Sequence, residues 1–202
     1  MHPSRRRFMQ VSAMGTAAAA FARQSQGEPT SISLQSEFET SQRQRRVLKR
    51  LSPRSLRALR FAVDEASESR CSHVDTECLL IGLSAEAEYS GASWLDGLGL
   101  TLDDVAAIVK RLAGTKASTS QVSSGRLPIT SQTQQILVDG IAHADHMGYL
   151  KAQPEHLLLG MINHPDSTAM QALRQMWIDV ASIEDEAIAS LPTWSSVHHR
   201  FD

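Results

Sequence analysis

The sequence predicts an all-α domain of eight helices, built as two pseudo-symmetric four-helix repeats. The first sign is an echo: Thr76-Glu77-Cys78-Leu79-Leu80-Ile81-Gly82-Leu83 returns 78 residues later as Pro154-Glu155-His156-Leu157-Leu158-Leu159-Gly160-Met161. The same offset, without a gap, aligns Ser52 with Thr130, Ser55 with Thr133, Leu59 with Leu137, Ala66 with Ala144, Leu95 with Leu173, Leu100 with Ile178 and Val105 with Ile183. A register held that far marks two copies of one supersecondary unit that bury their apolar faces on each other. Composition agrees: Ala and Leu are frequent and aromatics make up only 5%. No stretch alternates with period two for long enough to build a sheet.

The first repeat spans 52–113. Ser52 suits an N-cap and Pro53 the first helical position, where a missing N–H is harmless. Leu56, Leu59, Val63 and Ala66 follow at helical spacing, which leaves Arg57, Arg60, Asp64 and Glu65 for the outer face. This helix is expected to end near Arg70. After a turn through Cys71, Ser72 and His73, Asp75 caps a second, shorter helix whose buried side is Leu79, Leu80 and Leu83. Gly82 allows a crossing helix to come close. A third helix is expected over Tyr89 to Leu98, with Trp94, Leu95 and Leu98 inward. Thr101-Leu102-Asp103-Asp104 reads as a capping box opening a fourth, striped by Leu102, Val105, Val109 and Leu112.

A Ser/Thr-rich linker, 114–127, leads to the second repeat, 128–191. There Thr130 caps and Leu137, Ile141 and Ala144 form the stripe. Gln153-Pro154-Glu155 restarts a helix. Leu173, Met176 and Trp177 are expected to fill the third, and Asp179 caps a fourth with Ile183, Ala187 and Leu191 inward. A short basic helix over Gln42 to Arg50 leads into the first repeat. Residues 192–202 carry no assignable pattern.

The N-terminus reads as a targeting segment. Ser4-Arg5-Arg6-Arg7-Phe8-Met9 resembles a twin-arginine motif, a mildly apolar run from Val11 to Ala22 follows, and Ala20-Phe21-Ala22 has the small-x-small form of a cleavage site. Residues 1–22 are therefore expected to be a signal peptide and 23–43 a polar spacer, which places the protein in the periplasm or cell envelope. The apolar run is too short for a permanent membrane span.

A formal net charge of −2 names no partner. Its distribution is uneven: Arg43, Arg45, Arg46, Lys49, Arg50, Arg54, Arg57 and Arg60 form a run without an acid, read as a solvated helix face. Nucleic acid is not an expected partner, because the run lacks interleaved aromatics. The two cysteines, Cys71 and Cys78, flank a turn and read as small buried hydrophobes, with a local bridge conceivable in an oxidising compartment. His143 and His146 stand i, i+3 on a helix, but no H-E-x-x-H frame accompanies them, so neither metal nor cofactor is expected. No G-x-S-x-G elbow occurs and neither cysteine has an activating partner in sequence.

Ser52-Pro53-Arg54, the Thr76–Leu83 stretch, Leu98-Gly99-Leu100-Thr101-Leu102-Asp103-Asp104-Val105 and Glu155-His156-Leu157-Leu158-Leu159-Gly160 together resemble the Clp amino-terminal domain, over residues 44–191. The resemblance implies a docking platform for adaptors and substrate segments, with other proteins, exposed peptides, a Clp ATPase or its substrates as partners. No G-x-x-x-x-G-K-[ST] loop is present, so this chain is expected to be a stand-alone, non-catalytic module and not an ATP-driven unfoldase. The alternatives are a cytoplasmic accessory of a Clp machine and a metal-dependent hydrolase using the histidines.

Some members of that family bind phosphorylated arginine at one site per repeat. The matching residues here are Ser52, Arg54 and Glu77 in the first copy and Thr130 and Glu155 in the second, where Gln132 replaces Arg54 and Pro154 replaces Thr76. A carboxylate can accept two parallel guanidinium N–H bonds, and a capped helix N-terminus can hold phosphoryl oxygens. Acids also sit well in any first helical turn, where the helix dipole favours them.

Overall fold

A computed structural model describes residues 42–113 and 127–192. The segment read as a signal peptide, most of the expected spacer, residues 114–126 and residues 193–202 lie outside the described residues. Within them the fold is all-helical, with two isolated backbone bridges.

The basic lead-in helix α1 covers Gln42–Lys49. The first repeat follows as α2 (Pro53–Glu68), α3 (Thr76–Ser90), α4 (Trp94–Gly97) and α5 (Leu102–Ala113). The second is α6 (Ser131–His146), α7 (Pro154–Ile162), α8 (Thr168–Gln175) and α9 (Val180–Ala189).

The caps fall where the sequence places them. Ser52 Oγ accepts from Ser55 N at 3.1 Å and Thr130 Oγ1 from Thr133 N at 3.2 Å. Asp75 accepts from Cys78 N, and Asp179 from Ser182 N. Thr101 and Asp104 exchange bonds as a capping box, satisfying two of the donors that a helix start leaves unpaired.

Each repeat is organised around a tight antiparallel pair, α2 with α3 and α6 with α7. A Cβ added at Gly82 would lie 2.2 Å from the Ala58 carbonyl oxygen, and one at Gly160 2.6 Å from that of Ile136. Ala58 and Ile136 are themselves equivalent across the repeat, so both copies use glycine to bring two backbones together.

The copies then interlock: α8 packs on α3 and α5, while α9 packs on α7 and α4. Two parallel bridges, Leu51 with Ala152 and Val74 with Ile129, stitch the seam and exchange under the repeat. Leu59, Leu79, Leu83, Leu137 and Leu157 lie fully buried at the centre.

Several expectations need correction. The second helix is not short: α3 continues through Tyr89 to Ser90 and stops only where Gly91 takes a left-handed φ of 69°. Tyr89 therefore belongs to α3, and the third helix is the single turn α4. Glu65 is buried, not outward, with Ser69 Oγ donating to its Oε1 at 2.7 Å. Trp94 is core as expected, but Trp177 is 95% exposed and lies past the end of α8, in a turn. Leu191 lies beyond the end of α9 and is only half-buried.

Candidate functional site

The five residues singled out by sequence gather at the seam, but across the repeats and not within them. Ser52 N donates to Ala152 O at 2.9 Å, and Ser55 Oγ to the same carbonyl at 2.7 Å. This brings the start of α2 against the start of α7, and so Ser52 and Arg54 against Glu155. On the related side Val74 N donates to Pro128 O and Thr130 N to Val74 O. The start of α6 thus lies against the start of α3, Thr130 beside the segment that carries Glu77. The grouping of Glu77 with Ser52, and of Glu155 with Thr130, is thereby exchanged.

The two sides differ in chemistry. Glu155 is wholly buried in the first turn of α7. Arg54 Nη2 reaches its Oε1 at 2.9 Å as an ion pair, and among the described residues no well-aligned hydrogen bond reaches either Glu155 oxygen. Burial pushes the Glu155 carboxyl above its ordinary pKa, and the Arg54 charge offsets only part of that.

Arg54 is also held from behind. Its Nε and Nη2 donate to Glu86 Oε1 and Oε2 at 3.2 and 3.1 Å, a two-pronged grip on another fully buried carboxylate. Arg57 Nη2 adds a third bond to Glu86 at 3.1 Å, while its guanidinium stacks over the Tyr89 ring, 5.2 Å from the centroid. Two arginines thus neutralise two buried carboxylates, tying α2, α3 and α7 together. The expected solvated basic face therefore fails at two of its eight residues: Arg54 and Arg57 are turned inward and paired.

Glu86 went unnoticed in the sequence. Its signal was its place on the inward face of α3, three and seven residues from Leu83 and Leu79. A carboxylate there needs a buried cation, and α2 offers two. The equivalents of Arg54 and Arg57 in the second copy are Gln132 and Gln135, so the Glu77 side has no such pair of arginines on the facing helix.

Beside Glu155, His156 is fully buried. Gln153 N–H donates to its Nδ1 at 3.0 Å, which puts the ring proton on Nε2. Burial, followed by the charge of His143, lowers its pKa to about 4.

Two other histidines hydrogen-bond to neighbouring side chains. His164 Nε2 lies 2.8 Å from Asp139 Oδ2, and Asn163 Nδ2 lies 3.3 Å from His143 Nε2; Asp139, His143, His146 and Asn163 line a shallow hollow of about 280 Å³. Among the described residues no group of three or more His, Cys, Asp or Glu is placed to hold a metal ion.

The all-helical double repeat has the fold of solved Clp amino-terminal domains. Residues 128–200 match the family described as the Clp repeat (R) N-terminal domain. The N-terminal domain of the Clp-associated chaperone ClpD from Arabidopsis thaliana superposes with a TM-score of 0.58 at 22% identity, covering 71% of this chain and 99% of that one. A chain from structural work on a malarial protein secretion system gives 0.57 at 12% identity, covering 69% of this chain and 93% of that one.

In sequence, a ClpA-homologue ATP-binding subunit of a Clp protease from Porphyra purpurea is 26% identical over 145 residues, 72% of this chain and 17% of that protein. The chloroplastic chaperone ClpC1 of Arabidopsis thaliana is 25% identical over 142 residues, 70% of this chain and 15% of that protein. The chain thus spans about a sixth of the length of these relatives.

Proposed function

We propose that the protein is a non-catalytic docking module that binds other proteins through exposed peptide segments, arginine-bearing or phosphoarginine-bearing ones among them. The observation that carries this is the Arg54–Glu155 pair. It supports the seam as a place where a carboxylate at one helix start accepts a guanidinium, with the N–H groups of the capped helix start opposite available to a phosphoryl group. On the Arg54 side the chain's own arginine takes that position, so a ligand guanidinium there has to displace Arg54. The side formed by Thr130 and Glu77 has Gln132 in place of that arginine.

The segment 1–22 supports export by the twin-arginine route, with partners in the cell envelope. Fractionation tests this: recovery of the uncleaved 202-residue form from cytoplasm alone would defeat it.

Binding is tested by titrating labelled peptides containing arginine, phosphoarginine or lysine into purified protein. Saturable binding of an arginine class, weakened about tenfold or more by Glu77→Ala or Glu155→Gln, is the expected result. No binding to any peptide, or binding indifferent to both substitutions, would remove the site.

A further inference from the structure

We propose that Cys71 and Cys78 form a dithiol site that closes to an internal disulfide when the protein meets a low-molecular-weight disulfide such as oxidised glutathione. The repeat itself builds the pairing. Just past the first helix of each copy the backbone turns left-handed, at Arg70 with φ 55° and at Gly148 with φ 79°. The next N–H then returns to an equivalent carbonyl: Cys71 N to Ala66 O at 2.8 Å, and Tyr149 N to Ala144 O at 2.7 Å. Seven residues further on, Cys78 and His156 each occupy the third position of the following helix.

Cys71 and Cys78 therefore correspond to Tyr149 and His156, whose rings meet edge to face with centroids 4.7 Å apart. On the same frame the first copy places two thiols, near enough for each to shift the titration of the other. A left-handed residue that is not glycine is uncommon, and Arg70 holds Cys71 in this position despite that.

The two sulfurs have distinct roles. Cys71 is partly exposed and Cys78 is buried. The interaction with Cys78 holds the Cys71 thiol below its ordinary pKa, while that interaction first and burial second raise Cys78. Cys71 is thus the attacking thiolate. It displaces one glutathione from the oxidised dimer, leaving a mixed disulfide. The Cys78 sulfur, giving up its proton, attacks the Cys71 sulfur and expels the second glutathione. One disulfide is reduced to two glutathione thiols, which take up the two protons, and the two cysteines are oxidised by the matching two electrons.

The bond would fasten the end of α2 to the first turn of α3. It would fix the loop that carries Val74 into its bridge with Ile129 and would sit next to Glu77.

The test incubates the full chain with oxidised glutathione, then measures free thiols, intact mass and fragments cleaved after Glu77 without reduction. Expected are loss of both thiols and of two hydrogens in mass, no retained glutathione, and the Cys71 and Cys78 fragments still joined. The melting temperature should rise by about 5 °C and fall back on reduction. Cys78→Ala is expected to stop at the glutathione adduct on Cys71. Should that variant not fold, the wild-type fragment map decides alone. A wild type that stops at the same adduct, forms linked dimers, or keeps both thiols overturns the proposal.

Discussion

Arg54 and Glu155 stand in different repeats, yet Nη2 of one lies 2.9 Å from Oε1 of the other, and the carboxylate has no solvent contact. The same guanidinium grips Glu86, so one side chain compensates two buried charges. Removing a partner from a buried pair is far worse than never having had one, because the remaining charge keeps its desolvation penalty. Arg54→Ala is therefore expected to destabilise the fold by about 3–5 kcal/mol. Arg54→Met combined with Glu155→Gln should recover part of that loss, leaving a coupling of about 1–3 kcal/mol in a double-mutant cycle by urea denaturation. Additive effects would mean that the pair does not join the repeats.

His156 sets an acid limit. It is neutral in the native state, with its pKa near 4, against an ordinary 6.5 when unfolded. Between those values the unfolded chain binds a proton that the native chain refuses. The stability this confers is whole above pH 6.5 and drains away as pH falls to 4, by about 3 kcal/mol in total. Glu155 works in the opposite sense. Its raised pKa means the native carboxyl keeps a proton that the unfolded one has lost, so its share declines as pH rises from the ordinary value through the folded one. His156→Gln keeps a side chain able to cap Gln153 N but does not titrate. Urea midpoints across this window should fall toward acid in the wild type and not in the variant.

Gly82 tests the close approach of α2 and α3. A methyl group there would overlap the Ala58 carbonyl at 2.2 Å and the Ala62 nitrogen at 2.7 Å, both of them backbone atoms that cannot rotate away. Gly82→Ala should cost about 3 kcal/mol despite its better helix propensity, read as a lowered denaturation midpoint. An unchanged midpoint would mean that the two helices separate freely.

What the sequence revealed depended on how local the cause was. Ser52, Thr130, Asp75, Asp179 and the Thr101–Asp104 box cap their own helices three residues away, and Gly82 and Gly160 repeat in register, so all were legible. Glu86 was not, because its partners Arg54 and Arg57 lie 32 and 29 residues back on another helix. The exchange of Glu77 and Glu155 between sides was hidden for the same reason. An offset of 78 shows which residues are equivalent, but only the seam bridges reveal which equivalents face one another. Tyr89 and Trp177 were misplaced because apolar spacing continued past the points where Gly91 and Trp177 itself turn the backbone left-handed.

Trp177 offers the last test. Its first-repeat equivalent is Gly99, and the two share nearly the same backbone, φ 62° for the tryptophan and 67° for the glycine. Glycine takes that conformation freely, whereas an L side chain there suffers a clash of about 1–2 kcal/mol. Burial offers no compensation, since the ring is 95% exposed. Trp177→Gly should therefore stabilise the fold by about 0.5–1 kcal/mol, after allowing for the extra freedom glycine gains when unfolded. The urea midpoint should rise while the circular dichroism spectrum keeps its helical form. A fall in the midpoint would show that the ring makes stabilising contacts with this chain, and that the left-handed turn is held by them and not in spite of them.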